Sequence, residues 1–392
     1  MGISVRQKAF MSTVVAKRFT LAEIARVSGC SKAVVSTVLN GSRGNTVVSQ
    51  SLRERVEKVA REVGYVPNHA SRTLAIGSPQ TVGVYICPMQ WANVGAEYES
   101  AILRGVEVGC QEAGYDMLIL NIVGTRGADD CVRKVAGQRI DGLIVVRGRS
   151  GVGDLHRLME ACDNVVAADY NEPEPVSLRA TSFNNTAAMR LAVEHLVELG
   201  HRRIGYIGGG VPQPVPDDLA RRAGFIAAME EFELPLDPSW MICDRQNVDT
   251  PISDSPAQTW GWAAVDQALA LPGPCPTAYV AWSDSIAVTA MQRFTQRGVR
   301  LPDDISLIGV DNSHSCQIVW PGLTSIDHPL GDIGAQAARM LIGRSLERLG
   351  LAEGPPLEDR YLFKPRLVVR GTTGPCRADT VSQSSNHKSS SL

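Results

Sequence analysis

From residue 81 onward the chain alternates short apolar runs with longer amphipathic ones, and this alternation restricts its folds more than any other feature. TVGVYIC (81–87), YDMLILN (115–121), DGLIVVRG (141–148) and NVVAADY (164–170) are rich in Val, Ile and Leu. Parallel strands covered on both faces need that composition. Helical stretches such as SAILRGVEVGCQEAG lie between them. A second series follows in RRIGYIGGG, PTAYVAWSD and ISLIGVDN, spaced by amphipathic segments such as AAMRLAVEHLVELG. Two α/β units of this kind place ligand-binding loops at the carboxyl ends of their strands, facing a shared cleft. At 392 residues the chain has material for at least two buried cores.

Residues 19–77 follow another rule. Thr20-Leu21-Ala22-Glu23 is a capping box, with Phe19 and Ile24 placed as a hydrophobic staple. Leu21, Ile24 and Ala25 make one stripe, and Gly29 allows the positive φ at which a first helix can stop and turn. Ser31 caps a second helix whose inward face is Val34, Val35, Val38 and Leu39. The spacing suits two helices crossing steeply, as in a helix-turn-helix. Lys32, Ala33, Ser36 and Thr37 are then left on the outer face. There Lys32 can donate to guanine, and Ala33 or the Thr37 methyl can meet a thymine methyl. A plain helical hairpin with a solvated face has the same local pattern. SQSLRERVEKVAREVGY adds a third helix, capped at Ser49 or Ser51, whose Leu52, Val56, Val59, Ala60 and Val63 close a small core. Past Pro67, Asn68 can cap a short helix from His69 to Ala75, ended by Gly77. Leu74 on it has no use in water and could part a base step from the minor groove.

Charge is divided unevenly. Residues 1–78 hold 12 Lys+Arg against 4 Asp+Glu, a balance of +8, which leaves −10 on the remainder of a chain whose total is −2. A basic head on an acidic body suits a polyanion-binding module joined to something that repels polyanions. Nine cysteines stand singly with no ligand spacing, which argues against a disulfide framework and a zinc site. No run reaches membrane-spanning length and the opening residues lack a secretory pattern, so a cytoplasmic protein is expected. The sequence also lacks a nucleophile elbow, a metal cluster and a phosphate loop, and no enzyme is expected. RRIGYIGGGVPQP has Gly208 and Gly210 after a strand. Prolines at 212, 214 and 216 stand where a dinucleotide site would start its helix.

TLAEIARVSGCSKAVVSTVLNG, VSQSLRERVEKVAREVGYVPN and ASRTLA together resemble the headpiece and hinge of the LacI/GalR family of bacterial repressors. The likeness runs to about residue 372, through LTSIDHPLGDIGAQAARMLIGR and YLFKPRLVVRGTTG. It implies an N-terminal all-α helix-turn-helix headpiece with a hinge helix, followed by an α/β bilobed periplasmic-binding-protein-like core of two parallel-sheet, Rossmann-like lobes. It also implies three chain crossings between the lobes. The expected divisions are an extension (1–18), the DNA-binding domain (19–67), the hinge (68–78), the core (79–372) and a disordered Ser-rich tail (373–392). Candidate DNA-binding residues are Thr20, Ser31, Lys32, Ala33, Ser36, Thr37, Asn40, Tyr65, Asn68, Ser71 and Leu74.

For the core, R-x-x-G-F and IGxD match effector-contact motifs of that family at Arg221 and Asp311. A surface or interlobe ion pair would equally explain those two residues by position alone. Trp282 and Ser283 end AYVAWS, where an indole can stack on a sugar face, and Asp284 beside them is a helix cap or a ligand contact. The loop ICPMQWANVGAEY adds Gln90, Trp91 and Tyr98, while Trp260 and Trp262 either flank the cleft or pack a helix. Ser283 stands where the family usually has Asn, and Asn184-Asn185 where it often has Asp-Asn. The expectation is a homodimeric regulator binding a near-palindromic operator under control of a small-molecule effector, a sugar or its derivative. It needs no cofactor or metal and makes no membrane contact. The alternatives are a solute receptor of the same core fold, and a core that only dimerises.

Overall fold

The computed structural model describes residues 19–40, 48–66, 68–87, 97–120, 127–146, 153–172, 178–209, 216–243, 256–352, 354–355 and 357–377. Chain contacts divide into two compact units, residues 1–81 with 138–141, and residues 82–137 with 142–392.

In the first unit, α1 (Leu21–Ser28) opens with both halves of the capping box. Thr20 Oγ1 accepts the Glu23 amide at 3.3 Å, and the Glu23 carboxylate accepts the Thr20 amide at 2.7 Å. Gly29 ends the helix at φ 67°, a conformation that an L side chain resists. The turn leads to α2 (Lys32–Asn40), where Ser31 Oγ accepts the Val34 amide at 3.3 Å. α3 (Gln50–Glu62) begins at Ser49, whose hydroxyl makes no cap bond. Ile24, Ala25, Val35, Val38, Val56, Val59 and Ala60 form a core, with Leu52, Val63 and Tyr65 packed at its edge. α4 (His69–Ile76) ends at Gly77, one residue later than the sequence suggested.

The second unit holds two six-stranded sheets. Lobe 1 is built on β1 (Thr81–Ile86), β2 (Asp116–Ile119), β3 (Gly142–Val146), β4 (Val165–Ala168) and β5 (Arg179–Phe183), with β11 (Arg360–Phe363) at its far edge. The order is β11-β5-β4-β3-β1-β2, and β1/β3, β3/β4, β4/β5 and β5/β11 pair in parallel. Lobe 2 uses β6 (Ile204–Ile207), β7 (Met241–Ile242), β8 (Ala278–Ala281), β9 (Ser306–Asp311) and β10 (Thr324–Asp327), plus β12 (Arg366–Val368). Its order is β12-β10-β9-β8-β6-β7, and only β12 among the registered pairs runs antiparallel. The predicted apolar runs sit at the middle of these sheets: β3, β4, β6 and β8 are buried at every position. β5, with the polar sequence RATSF, and the two-residue β7 were not expected from pattern.

Five helices border the crossings between the lobes: α5 (Glu97–Ala113), α8 (Asn185–Glu198), α9 (Pro216–Glu231), α11 (Asp284–Gln296) and α13 (Leu330–Arg348), with α6 (Gly127–Ala136), α7 (Gly153–Ala161) and α10 (Pro256–Leu269) completing the layers and α12 (Ser315–Ile318) a single turn. The chain crosses between lobes three times, at 183–184, at 327–330 and at 364–365, as the family resemblance implied. α13 lies against α5 with backbones nearly touching. A Cβ at Gly105 or Gly334 would penetrate the carbonyl of Gly331 or of Ile102. Among the described residues no helix is long and apolar enough to cross a membrane.

Candidate nucleic-acid face and interlobe cleft

On the headpiece, the outer face of α2 carries exposed Lys32 and Ala33 and half-buried Ser36 and Thr37. Thr37 Oγ1 donates to the Ala33 carbonyl at 3.0 Å, so its hydroxyl is already engaged along the helix. Thr20 and Ser31 are exposed, and both hydroxyls act as caps. Tyr65 is half-buried against the core, and Asn68 is exposed ahead of α4. Asn40 corrects the expectation of an outward contact. It is 2% exposed, its amide nitrogen donates to Ser36 Oγ at 3.3 Å, and it belongs to the packing at the end of α2. Leu74 is 87% exposed on an eight-residue helix, as its placement in sequence anticipated. The Ser71 side chain lies outside the described residues.

In the core, strand ends and helix starts converge on a buried ionic cluster between the lobes. α9 brings in Arg221, 3% exposed. Nε donates to Asn185 Oδ1 at 2.8 Å and Nη1 to the Trp282 carbonyl at 2.5 Å, while Nη2 lies 3.8 Å from Asp311 Oδ1. Trp282 closes one side, its ring 6.0 Å from the Arg221 guanidinium carbon. Lobe 1 contributes Asp169 from the end of β4, where Tyr98 Oη donates to Oδ2 at 2.5 Å. Both aspartates occupy the left-handed side of backbone space, Asp169 at φ 55° and Asp311 at φ 115°. Such strain gathers at sites that bind or switch.

His328, at the second crossing between β10 and α13, joins the two halves. Its Nε2 lies 3.2 Å from Asp169 Oδ1 and its Nδ1 3.3 Å from Asp311 Oδ1, and Phe183 stacks on the ring at 4.0 Å. Burial works against the imidazolium, but the two carboxylates overcome it and push His328 up to about 9. Burial would likewise raise Asp169, yet His328 and the Tyr98 hydroxyl hold it down at about 2. Arg221 Nη2 and His328 Nδ1 stand 3.4 Å apart. A neutral Nδ1 can accept from Nη2; with the ring protonated both are donors, at 3.3 and 3.8 Å from Asp311 Oδ1. Two further contacts span the lobes: Asn171 donates to Asp217 at 2.7 Å, and Ser315 Oγ donates to Glu97 at 3.1 Å.

Of the residues read from sequence, Tyr98, Arg221, Trp282 and Asp311 meet in this cluster. Ser283 stands at the N-cap position of α11 without a side-chain cap bond and shares its hydroxyl with Ser285 Oγ at 2.9 Å, 7% exposed at the cluster's margin. Asp284 is a structural anchor rather than a ligand contact. It accepts from Ser325 Oγ at 2.6 Å and from the Ser313 amide at 2.7 Å, and burial pushes it up to about 7. Trp260 is a packing residue, its indole donating to the Gly208 carbonyl at 2.7 Å. Gln90 and Trp91 lie outside the described residues. Asp169, Asp217 and His328 were not singled out from sequence. The only local trace of them is the pair of acids at strand or helix ends.

Comparison with known proteins places these features among relatives. Residues 20–68 match the bacterial regulatory proteins, lacI family, and residues 193–373 match a periplasmic binding protein-like domain. The HTH-type transcriptional repressor PurR of Vibrio parahaemolyticus is 29% identical over 360 residues, covering 90% of this chain and 98% of that protein. CytR of Escherichia coli K12, also an HTH-type transcriptional repressor, is 29% identical over 358 residues, covering 91% and 98%. Among solved structures, the lac repressor dimer bound to operator and an anti-inducer aligns with a TM-score of 0.70 at 26% identity. That alignment covers 91% of this chain and 100% of the other. The CelR–cellobiose complex aligns with a TM-score of 0.62 at 25% identity, with coverage of 91% and 100%.

Proposed function

We propose, from the premise that this chain belongs to the LacI family of bacterial regulatory proteins, that its α2 face reads a near-palindromic operator. In this reading the chain acts as a homodimer and its interlobe cleft takes a small-molecule effector. The relatives are repressors, not enzymes, and the chain is a DNA-binding transcriptional regulator of their kind. The observation that carries the operator reading is the exposed Lys32–Ala33 edge of a doubly capped helix pair within a +8 segment. Lys32, Ala33, Ser36 and Thr37 are the base-edge candidates, with Thr20, Ser31, Tyr65 and Asn68 on the flanking backbone. The basic headpiece weighs against a solute receptor of the same core fold. A dimer is supported by apolar groups left in water on lobe 2, Ile318 at 69% and Trp320 at 94% exposed. The reading places the protein in the cytoplasm, with the DNA.

Arg221, Asp311, Trp282 and Tyr98 are the effector contacts in this reading. The cluster's cations are already paired with carboxylates, which favours an uncharged polyol, a sugar or its derivative, over a phosphorylated one. Effector binding would favour one disposition of the lobes, and DNA binding would respond to the difference in affinity between two states. The test is a thermal-shift screen of neutral sugars, their phosphates and purines on the full chain, with Arg221→Ala as control. A neutral sugar whose stabilising effect disappears in the variant supports the assignment. Stabilisation only by phosphorylated compounds, or an effect unchanged in Arg221→Ala, refutes it. Selection from a random duplex pool tests the operator reading: enrichment of an inverted repeat is expected, and no enrichment rejects it.

A further inference from the structure

We propose that His328 is a positioning residue that works as an imidazolium, locking lobe 1 to the ligand-facing Arg221–Asp311 pair of lobe 2, so that the cleft is closed while the ring is protonated and released when it is not. The inference rests on reading this cleft as the effector site, and it names what holds the site together.

A neutral imidazole has one N–H and one lone pair. Here both ring nitrogens face a carboxylate oxygen, at 3.2 Å on Asp169 and 3.3 Å on Asp311, and the side chain is 1% exposed. A doubly protonated ring presents an N–H to each carboxylate, whereas a neutral ring keeps a single N–H and leaves the other nitrogen as an acceptor, which at Nδ1 faces Arg221 Nη2 at 3.4 Å. Loss of the proton removes the charge from both contacts and leaves one of the two carboxylates without an N–H from the ring.

The charged and titratable groups around the ring come from each element that packs on it. They are Asp169 beyond β4, Tyr98 on α5, Asp311 ending β9, and Asp217 and Arg221 on α9. Phe183 covers the ring face and offers no charge. Arg221 acts on Asp169 through its charge, while its Nε and Nη1 are held by Asn185 and the Trp282 carbonyl and its Nη2 lies 3.8 Å from Asp311. Without the imidazolium the Asp169 carboxylate keeps the Tyr98 hydroxyl as a hydrogen-bond donor and the more distant charge of Arg221. A dry carboxylate so placed is unstable, and separation of the lobes is what rehydrates it.

Position adds to this. Asp169 is fixed to lobe 1 and Asp311 to lobe 2, while His328 stands in the crossing segment between them. The imidazolium therefore links the lobes directly.

The test needs neither effector nor DNA. The chain has seven histidines, few enough for selective 13C labelling of the imidazole Cε1 in the full-length protein. His328→Gln deletes one resonance. Asp169→Asn and Asp311→Asn displace that same resonance, which assigns it even if the glutamine variant does not fold. We expect it to titrate near 9 in the wild-type protein and to fall toward the ordinary histidine range in Asp169→Asn. Amide exchange of residues 165–172, corrected for intrinsic base catalysis, should lose at least tenfold protection through the same midpoint. His328→Gln should remove that pH dependence. A resonance titrating between 6 and 7, or protection unchanged from pH 7 to 10 in the wild type, overturns the proposal. Either failure leaves the effector assignment standing, and failure of the ligand screen leaves these two measurements as they are.

Discussion

Leu74→Ala separates the stability of the free protein from its grip on DNA. Leu74 is 87% exposed on α4, so its side chain contributes almost nothing to the unliganded fold. Alanine is also the better helix former, and the melting temperature should stay the same or rise slightly. On an operator, a leucine driven between base pairs would bury most of that side chain. Full burial of a leucine is worth roughly 1.5–3 kcal/mol, so truncation to alanine should remove about 2 kcal/mol per protomer. A dimer inserting two copies would lose about 4 kcal/mol, near a thousandfold in affinity. Fluorescence anisotropy should compare a selected operator with a scrambled duplex at two salt concentrations. The expected pattern is a large loss on the operator, little on the scrambled duplex and an unchanged salt slope, because phosphate contacts are untouched. Equal loss on both duplexes, or no loss on either, refutes the wedge. A lowered melting temperature would show that Leu74 packs in the free protein.

Thr20→Ala should lower the stability of the headpiece transition by about 1 kcal/mol, since the residue supplies one half of a reciprocal cap whose other half is Glu23. Chemical denaturation followed by far-UV circular dichroism reads it, and an unchanged midpoint would mean the cap is idle. Gly334→Ala should destabilise the core by about 1–3 kcal/mol, because its Cβ would meet the Ile102 carbonyl of α5. Gly331→Ala, whose Cβ has nothing nearer than the Ala101 carbonyl at 4.0 Å, should be neutral or mildly stabilising. Calorimetry of the pair distinguishes backbone contact from helix propensity, and identical shifts would reject the close-packing account.

Most of the headpiece was legible because its signals are local. The capping box, the Gly29 turn and the inward stripe of α2 each depend on residues within one or two turns, and all three recur in the structure. Strands with continuous apolar runs were equally plain. β5 was not, because RATSF mixes Thr181, held in the sheet interior, with half-buried Arg179 and Ser182. Its place is fixed by β4 and β11 on either side, not by any pattern of its own. Asn40 failed for a related reason. The helical period places it near the outer face, but it lies where α2 ends and is covered, and periodicity does not record what covers a helix end.

The cleft divides along a different line. Arg221 and Asp311 were visible because R-x-x-G-F and IGxD match motifs of the family they resemble, where position alone left them equally explained by an ion pair. His328 was not, because a single histidine between β10 and α13 has no period, and its meaning depends on Asp169 in the other lobe. The feature that hides it also gives it leverage. A residue in a crossing segment belongs to the packing of neither lobe alone, and each lobe supplies one of its two ion pairs. Rotation of one lobe against the other cannot preserve both, because Asp169 moves with lobe 1 and Asp311 with lobe 2. The charge on His328 and the angle between the lobes are therefore linked by the same two contacts. Any ligand that bridges Tyr98 and Asp311 must act on that same equilibrium.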